Sequence, residues 1–327
     1  MATVTVSPDT DRPPPRRRAA SVISPGDRVF RLLTASAAWL VLLLLLGAAL
    51  SMAWGGRLAF QTFGWGFLTS MDWDAVQHKF GALVPIYGTL VSSALAMLVA
   101  VPISFGIAIF LSEVAPAWMR GPIGMAIELL AAVPSIIYGM WGLFVFAPFM
   151  GSHVEPWLTE HLAMVPGLGQ FFDGPPIGIG MLTAGIILGI MTIPFISSVM
   201  RDVFQAVPPA LRESAFALGA TPWEVIWKVT LPHTRSAVMG AIFLGLGRAL
   251  GETMAVTFVL GNAHDFSLSL LMPGNSIAAA IANEFTEADS PIYLSSLIAL
   301  GFLLFVVTFI VLAIAKLMLM RIERKAR

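Results

Sequence analysis

Six apolar runs divide the chain, at 32–54, 86–111, 123–149, 177–200, 237–260 and 292–320. A helix needs about 20 apolar residues to cross a bilayer. The runs are continuous rather than alternating, so they predict helices and exclude the strands of a membrane barrel. The fold class expected is an all-α polytopic membrane protein with six transmembrane helices. Residues 1–28 are polar and proline-rich, with the basic cluster Arg16-Arg17-Arg18. Such a segment buries too little to order itself, and reads as a flexible cytoplasmic tail ahead of a transmembrane domain at 29–327. A cleaved signal peptide is the rival reading, although the run after the tail is long for a signal core.

The polar stretch 201–236 is long for a connection between helices. Leu211, Ala215 and Leu218 recur at helical spacing, and Val225, Ile226 and Val229 extend the pattern. Gly219 ends the first short helix. Thr221-Pro222-Trp223-Glu224 starts the next, with threonine as N-cap, proline at the first helical position and glutamate at the third. The stretch reads either as a structured loop without a partner or as a docking element for a protein at the membrane surface. Pro102, Pro134 and Pro194 fall inside spans, where each removes a backbone donor. Gly185-x-x-x-Gly189 and Gly247-x-x-x-Gly251 allow close helix approach.

Charge sets the orientation. With both termini cytoplasmic, 16 of the 19 lysines and arginines lie inside, Arg57 and Lys79 lie outside, and Arg248 lies within a span. The outer segments carry nine acids: Asp72, Asp74, Glu155, Glu160, Asp173, Asp265, Glu284, Glu287 and Asp289. An acidic outer face does not steer free anions inward, so an anionic substrate would have to be delivered. His153, His161 and His264 fall in outer loops and read as solvated.

Composition narrows the chemistry. The 327 residues are 57% hydrophobic and 12% charged, with a mean hydropathy of +0.84. There is no cysteine, which excludes disulfides and thiolate chemistry. No glycine precedes a lysine, so there is no Walker A loop, and no HExxH pair occurs.

Arg248 lies roughly 17 Å along the fifth span, near mid-membrane. An arginine there costs about 2.5–3.5 kcal/mol on insertion scales and should face water or the bundle interior. Glu252 follows at i+4 and is expected on the same helix face. One reading is a self-neutralising ion pair. The other is an anion site, in which the guanidinium fork receives an oxyanion. Glu252 would then temper affinity and favour an anion that still carries a proton, as hydrogen phosphate does. Glu128 reads as an interfacial acid or a gating group, and Tyr138 as a packing residue with its hydroxyl on a neighbour.

Glu213-Ser214-Ala215, three residues, Gly219, nine residues, Val229, one residue and Leu231-Pro232 resemble the EAA loop of ABC-importer permeases, with serine and valine as mild departures. The resemblance implies that these residues couple to an ATPase subunit, which would push on the fifth helix. The fifth-span run from Gly247 through Val256 is similar to the PstC-type permeases of phosphate-specific ABC importers. So are the third-span residues Glu128 to Gly139, and Gly88-Thr89-Leu90 with Phe105-Gly106-Ile107. The likeness covers 86–327. It implies a type I importer fold in a bacterial inner membrane. The implied partners are a PstA-type permease, a PstB-type ATPase dimer and an extracytoplasmic PstS-type phosphate-binding protein. It implies no cofactor in this chain, since ATP and Mg would belong to the ATPase, and no enzymatic activity. A sulfate or molybdate permease, a secondary transporter using Arg248 and Glu252 as a proton relay, and a scaffold for a signalling complex are the alternatives.

Overall fold

The computed structural model describes residues 25–325; the tail up to residue 24 lies outside the described residues. The chain divides into two units, 1–50 and 51–327. Helix α1 (Pro25–Gly55) starts at a proline, so residues 25–28 belong to a helix and not to the tail. The second unit opens with the end of α1, then the short helices α2 (Arg57–Phe63) and α3 (Gly66–Thr69). A two-stranded hairpin follows, β1 (Trp73–Asp74) against β2 (Lys79–Phe80), with Trp73 opposite Phe80.

Helix α4 (Leu83–Ile109) has a small buried residue at every fourth position: Gly88, Ser92, Ala96, Ala100, Ser104 and Ala108. Residues four apart form one ridge on a helix. This ridge is nearly flat, so α9 (Met181–Gln205) packs close to it. A Cβ at Gly185 would stand 2.5 Å from Leu95 Cβ, and one at Gly189 would stand 3.1 Å from the Ala96 carbonyl. Ser104 Oγ also donates across to the Ile193 carbonyl at 3.1 Å. Both helices continue past their prolines, Pro102 and Pro194.

The third apolar run is not one helix. Helix α5 (Ala117–Ala131) ends before Pro134. Pro134 has no N–H to give the Leu130 carbonyl; the Val133 N–H at 3.2 Å and the Tyr138 hydroxyl at 3.1 Å donate to it instead. A new helical path then runs from Ser135 to Leu162, through α6 (Ser135–Trp141), α7 (Ala147–Phe149) and α8 (Glu155–Leu162), joined by π-turns. His153 and His161 therefore sit on a helix, exposed, and not in a loop.

Beyond α9 come α10 (Pro209–Ala217), α11 (Pro222–Val225) and α12 (Leu231–Leu250). The fifth apolar run is also interrupted: α12 stops at Leu250 and a separate α13 (Met254–Val259) follows. Gly247 and Gly251 meet no side chain nearer than 3.8 Å, so this glycine pair does not seat a neighbouring helix within the chain. Helices α14 (Ile277–Glu284) and α15 (Pro291–Lys325) complete the unit. Five described helices are long and apolar enough to cross a membrane; α12 and α13 share the remaining apolar stretch in two pieces.

Three buried clusters form the core. Phe67, Phe80, Tyr293 and Leu297 gather the hairpin, α14 and the start of α15. Met181, Leu188, Val256 and Leu260 join α9 to α13. Ala100, Ile196, Phe204 and Val238 join α4, α9 and α12.

Candidate functional site

The segment 201–236 folds as its residue types dictate. Gly219 takes φ +86°, a left-handed conformation natural to glycine. Its N–H donates to the Phe216 carbonyl at 2.9 Å, and the Ala220 N–H to Ala215 at 3.1 Å. That pair of bonds is a Schellman closure of α10. Thr221 caps α11 in a reciprocal box with Glu224. The Thr221 N–H, then Lys228, holds the Glu224 carboxyl at about 2. The bends at Gly219 and Thr221 leave Glu213, Ser214 and Gly219 exposed and Ala215 half-buried, beside the exposed apolar groups Phe216, Leu218 and Trp223.

The second arm of the segment is continuous with α12. From Pro222 the chain stays helical through α11, a π-turn over Ile226–Thr230 and all of α12. Leu231 and Pro232 occupy the first turn of α12, and Pro232 is exposed. Arg248 sits in the last turn of that same helix.

The structure separates the two groups expected on one face. Glu252 lies beyond the end of α12, and no ion pair joins it to Arg248 among the described residues. Gly251 and Glu252 form the break, so the i+4 register never extends that far. One Glu252 carboxylate oxygen instead accepts from the Ala255 N–H at 3.4 Å, at the start of α13. A carboxylate at a helix N-terminus is favourably placed. The Arg248 side chain is exposed. Its guanidinium lies 5.6 Å from the centre of the Phe195 ring.

Several groups acquire partners that charge counting alone did not supply. Glu128 pairs with Arg201 at 2.6 Å, joining α5 to α9. Glu155 is fully buried and accepts from the Gly178 N–H at 2.7 Å. Glu284 is buried as well; it receives Trp73 Nε1 at 2.6 Å, the Tyr293 hydroxyl at 2.7 Å and His264 Nε2 at 2.9 Å. His264 is stacked on Trp73 and half-buried, so it is not the solvated loop histidine expected. Glu155 and Glu284 therefore do not contribute to an acidic outer surface.

Burial pushes the Glu284 carboxyl up, but the bonds from His264, Tyr293 and Trp73 outweigh it and hold the group below its ordinary value. A carboxyl lowered in the folded state stabilises fully above its unfolded value, and loses that contribution as pH falls through the folded one. Glu284→Gln should therefore destabilise the purified protein at neutral pH by about 1–3 kcal/mol. The difference from wild type should shrink below about pH 4, as read by thermal scans across pH.

Comparison with known proteins agrees with this geometry. Residues 100–324 match the family described as binding-protein-dependent transport system inner membrane component. The phosphate transport system permease protein PstC of Xylella fastidiosa is 60% identical over 300 residues, covering 92% of both chains. The PstC protein of Mesorhizobium japonicum is 56% identical over 299 residues, covering 91% of both. A chain of a bacterial alginate ABC transporter, solved with a pentasaccharide-bound periplasmic protein, shares the fold with a TM-score of 0.56 at 20% identity, covering 92% of this chain and 96% of that one. A chain of the inward-facing MetNI methionine ABC transporter has a TM-score of 0.51 at 17% identity, covering 71% and 93%. Matched over more than half its length by the family, and over nine tenths by these relatives, the chain belongs to the binding-protein-dependent transport inner membrane components, among the PstC permeases.

Proposed function

We propose that this chain is a permease subunit of an ATP-driven importer that carries inorganic phosphate across the bacterial inner membrane. The observation that carries the reading is the unbroken helical path from the capped coupling segment at Pro222 to Arg248. A load applied at Glu213, Ser214, Ala215 and Gly219 is passed at the Gly219–Thr221 turn to a helix that ends at an intramembrane guanidinium. The relatives' names supply the substrate.

Arg248 would receive the anion. Its exposure within an apolar stretch is costly in lipid, so that face is to be covered by a second permease of PstA type or by a water-filled path. Glu252 spends one oxygen on the start of α13 and keeps the other for the proton of hydrogen phosphate. The chain performs no hydrolysis; ATP and Mg belong to a PstB-type ATPase pair on the coupling segment, and a PstS-type protein delivers phosphate outside. Proteoliposomes holding the purified complex should take up labelled phosphate only with ATP, and excess sulfate should not compete. Competition by sulfate would move the assignment to a general oxyanion permease. Loss of uptake under a protonophore at constant ATP would favour a proton-driven carrier.

A further inference from the structure

We propose that Arg212 is a positioning residue, clamping the coupling helix α10 to the C-terminal ends of both α4 and α9. Displacement of α10 would then reach the α4–α9 pair directly, as well as α12. The proposal rests on the reading of 201–236 as the segment on which an ATPase acts.

Helix α10 buries none of its own residues, so apolar packing alone holds it weakly. Arg212 is its main charged anchor. One guanidinium nitrogen stands 3.3 Å from the Glu113 carboxylate, in the π-turn Phe110–Val114 that ends α4. The other donates to the Phe204 carbonyl, in the last turn of α9. The Phe204 carbonyl also accepts from the Val207 N–H at 3.3 Å, and the negative end of the helix dipole favours a cation there. The planar guanidinium reaches both groups through two nitrogens held in fixed geometry, as an ion pair to Glu113 and a hydrogen bond to Phe204. The side chains are only 20% and 10% exposed, and Arg212 is the one cation paired with Glu113 among the described residues. Because α4 and α9 are locked together by the small-residue ridge, a pull at Glu113 and Phe204 moves them as one piece.

The test uses the whole reconstituted complex and two readouts. Arg212→Ala should lower the phosphate moved per ATP hydrolysed by about tenfold, the low end for a lost charge-assisted bond, while hydrolysis continues. A merely structural role would reduce uptake and hydrolysis together and leave their ratio unchanged. Hydrogen exchange of residues 209–217 should speed up by a similar factor, whatever the substrate. The chain has no cysteine, so Glu113→Cys with Arg212→Cys can be bridged by a bifunctional thiol reagent, and the bridge should restore the ratio. Should Arg212→Ala fail to assemble, Glu113→Gln reads the same two quantities. An unchanged ratio with unchanged exchange overturns the clamp. A wild-type complex that hydrolyses ATP without moving phosphate overturns the substrate assignment instead, and exchange in α10 alone then decides the clamp.

Discussion

Arg248→Ala, in complex that still assembles and still hydrolyses ATP, should cut phosphate uptake by about 10- to 100-fold, the loss of a hydrogen-bonded ionic contact. The effect should appear in uptake and not in the amount of protein in the membrane. Removing a cation from an apolar helix makes insertion easier, by about 2.5–3.5 kcal/mol on insertion scales. Arg248→Lys should fall between the two, because an ammonium keeps the charge and loses the two-pronged geometry. Initial rates of labelled phosphate entry into proteoliposomes, normalised to ATP hydrolysis, make the measurement. Wild-type rates for Arg248→Ala would take this side chain off the substrate path.

Gly88→Ala should severely damage the fold although it adds a single methyl. Its Cβ would stand 1.9 Å from the Asn275 carbonyl oxygen, and the next nearest atoms are also Asn275 backbone. The same contact region includes the Thr89 hydroxyl, which accepts the Ile277 N–H at 2.9 Å and fixes the start of α14. Neither α4 nor α14 can retreat without opening that joint. Overpacking of a core costs about 1–3 kcal/mol, and more where only backbone could move. The expected result is loss of monodisperse protein on fluorescence-detected size exclusion. Gly106→Ala on the same helix meets nothing within 4 Å and should behave as wild type.

The helices were legible because apolar run length is a local property. Gly219, Thr221 and Glu224 were equally legible, since a cap is decided by residues three positions apart. The breaks at Pro134 and at Gly251–Glu252 were not read from hydropathy. A long apolar run stays apolar on average when a short break interrupts it, and the cue, a glycine with two polar neighbours, was read as part of a motif. Distance along the chain hid the rest. Trp73 and Glu284 are 211 residues apart, and Arg201 and Glu128 are 73 apart. Counting charges by loop therefore placed Glu155 and Glu284 at the surface, whereas the fold buries both. Arg248 and Glu252 were found as residues, but their mutual geometry depended on a helix that ends between them.

The π-turn ahead of α12 sets a rotational phase. Leu231 reaches back five residues to Ile226, and Pro232 has no N–H with which to resume the ordinary pattern immediately. The turn amounts to one surplus residue in a continuous rod. Each residue advances a helix by about 100°, so that surplus decides the direction in which everything downstream points. Arg248 lies about five turns farther on, and its azimuth about the helix axis is inherited from five residues at the rod's base. A chain with the same side chains and one residue fewer in that turn would present the guanidinium to a different neighbour.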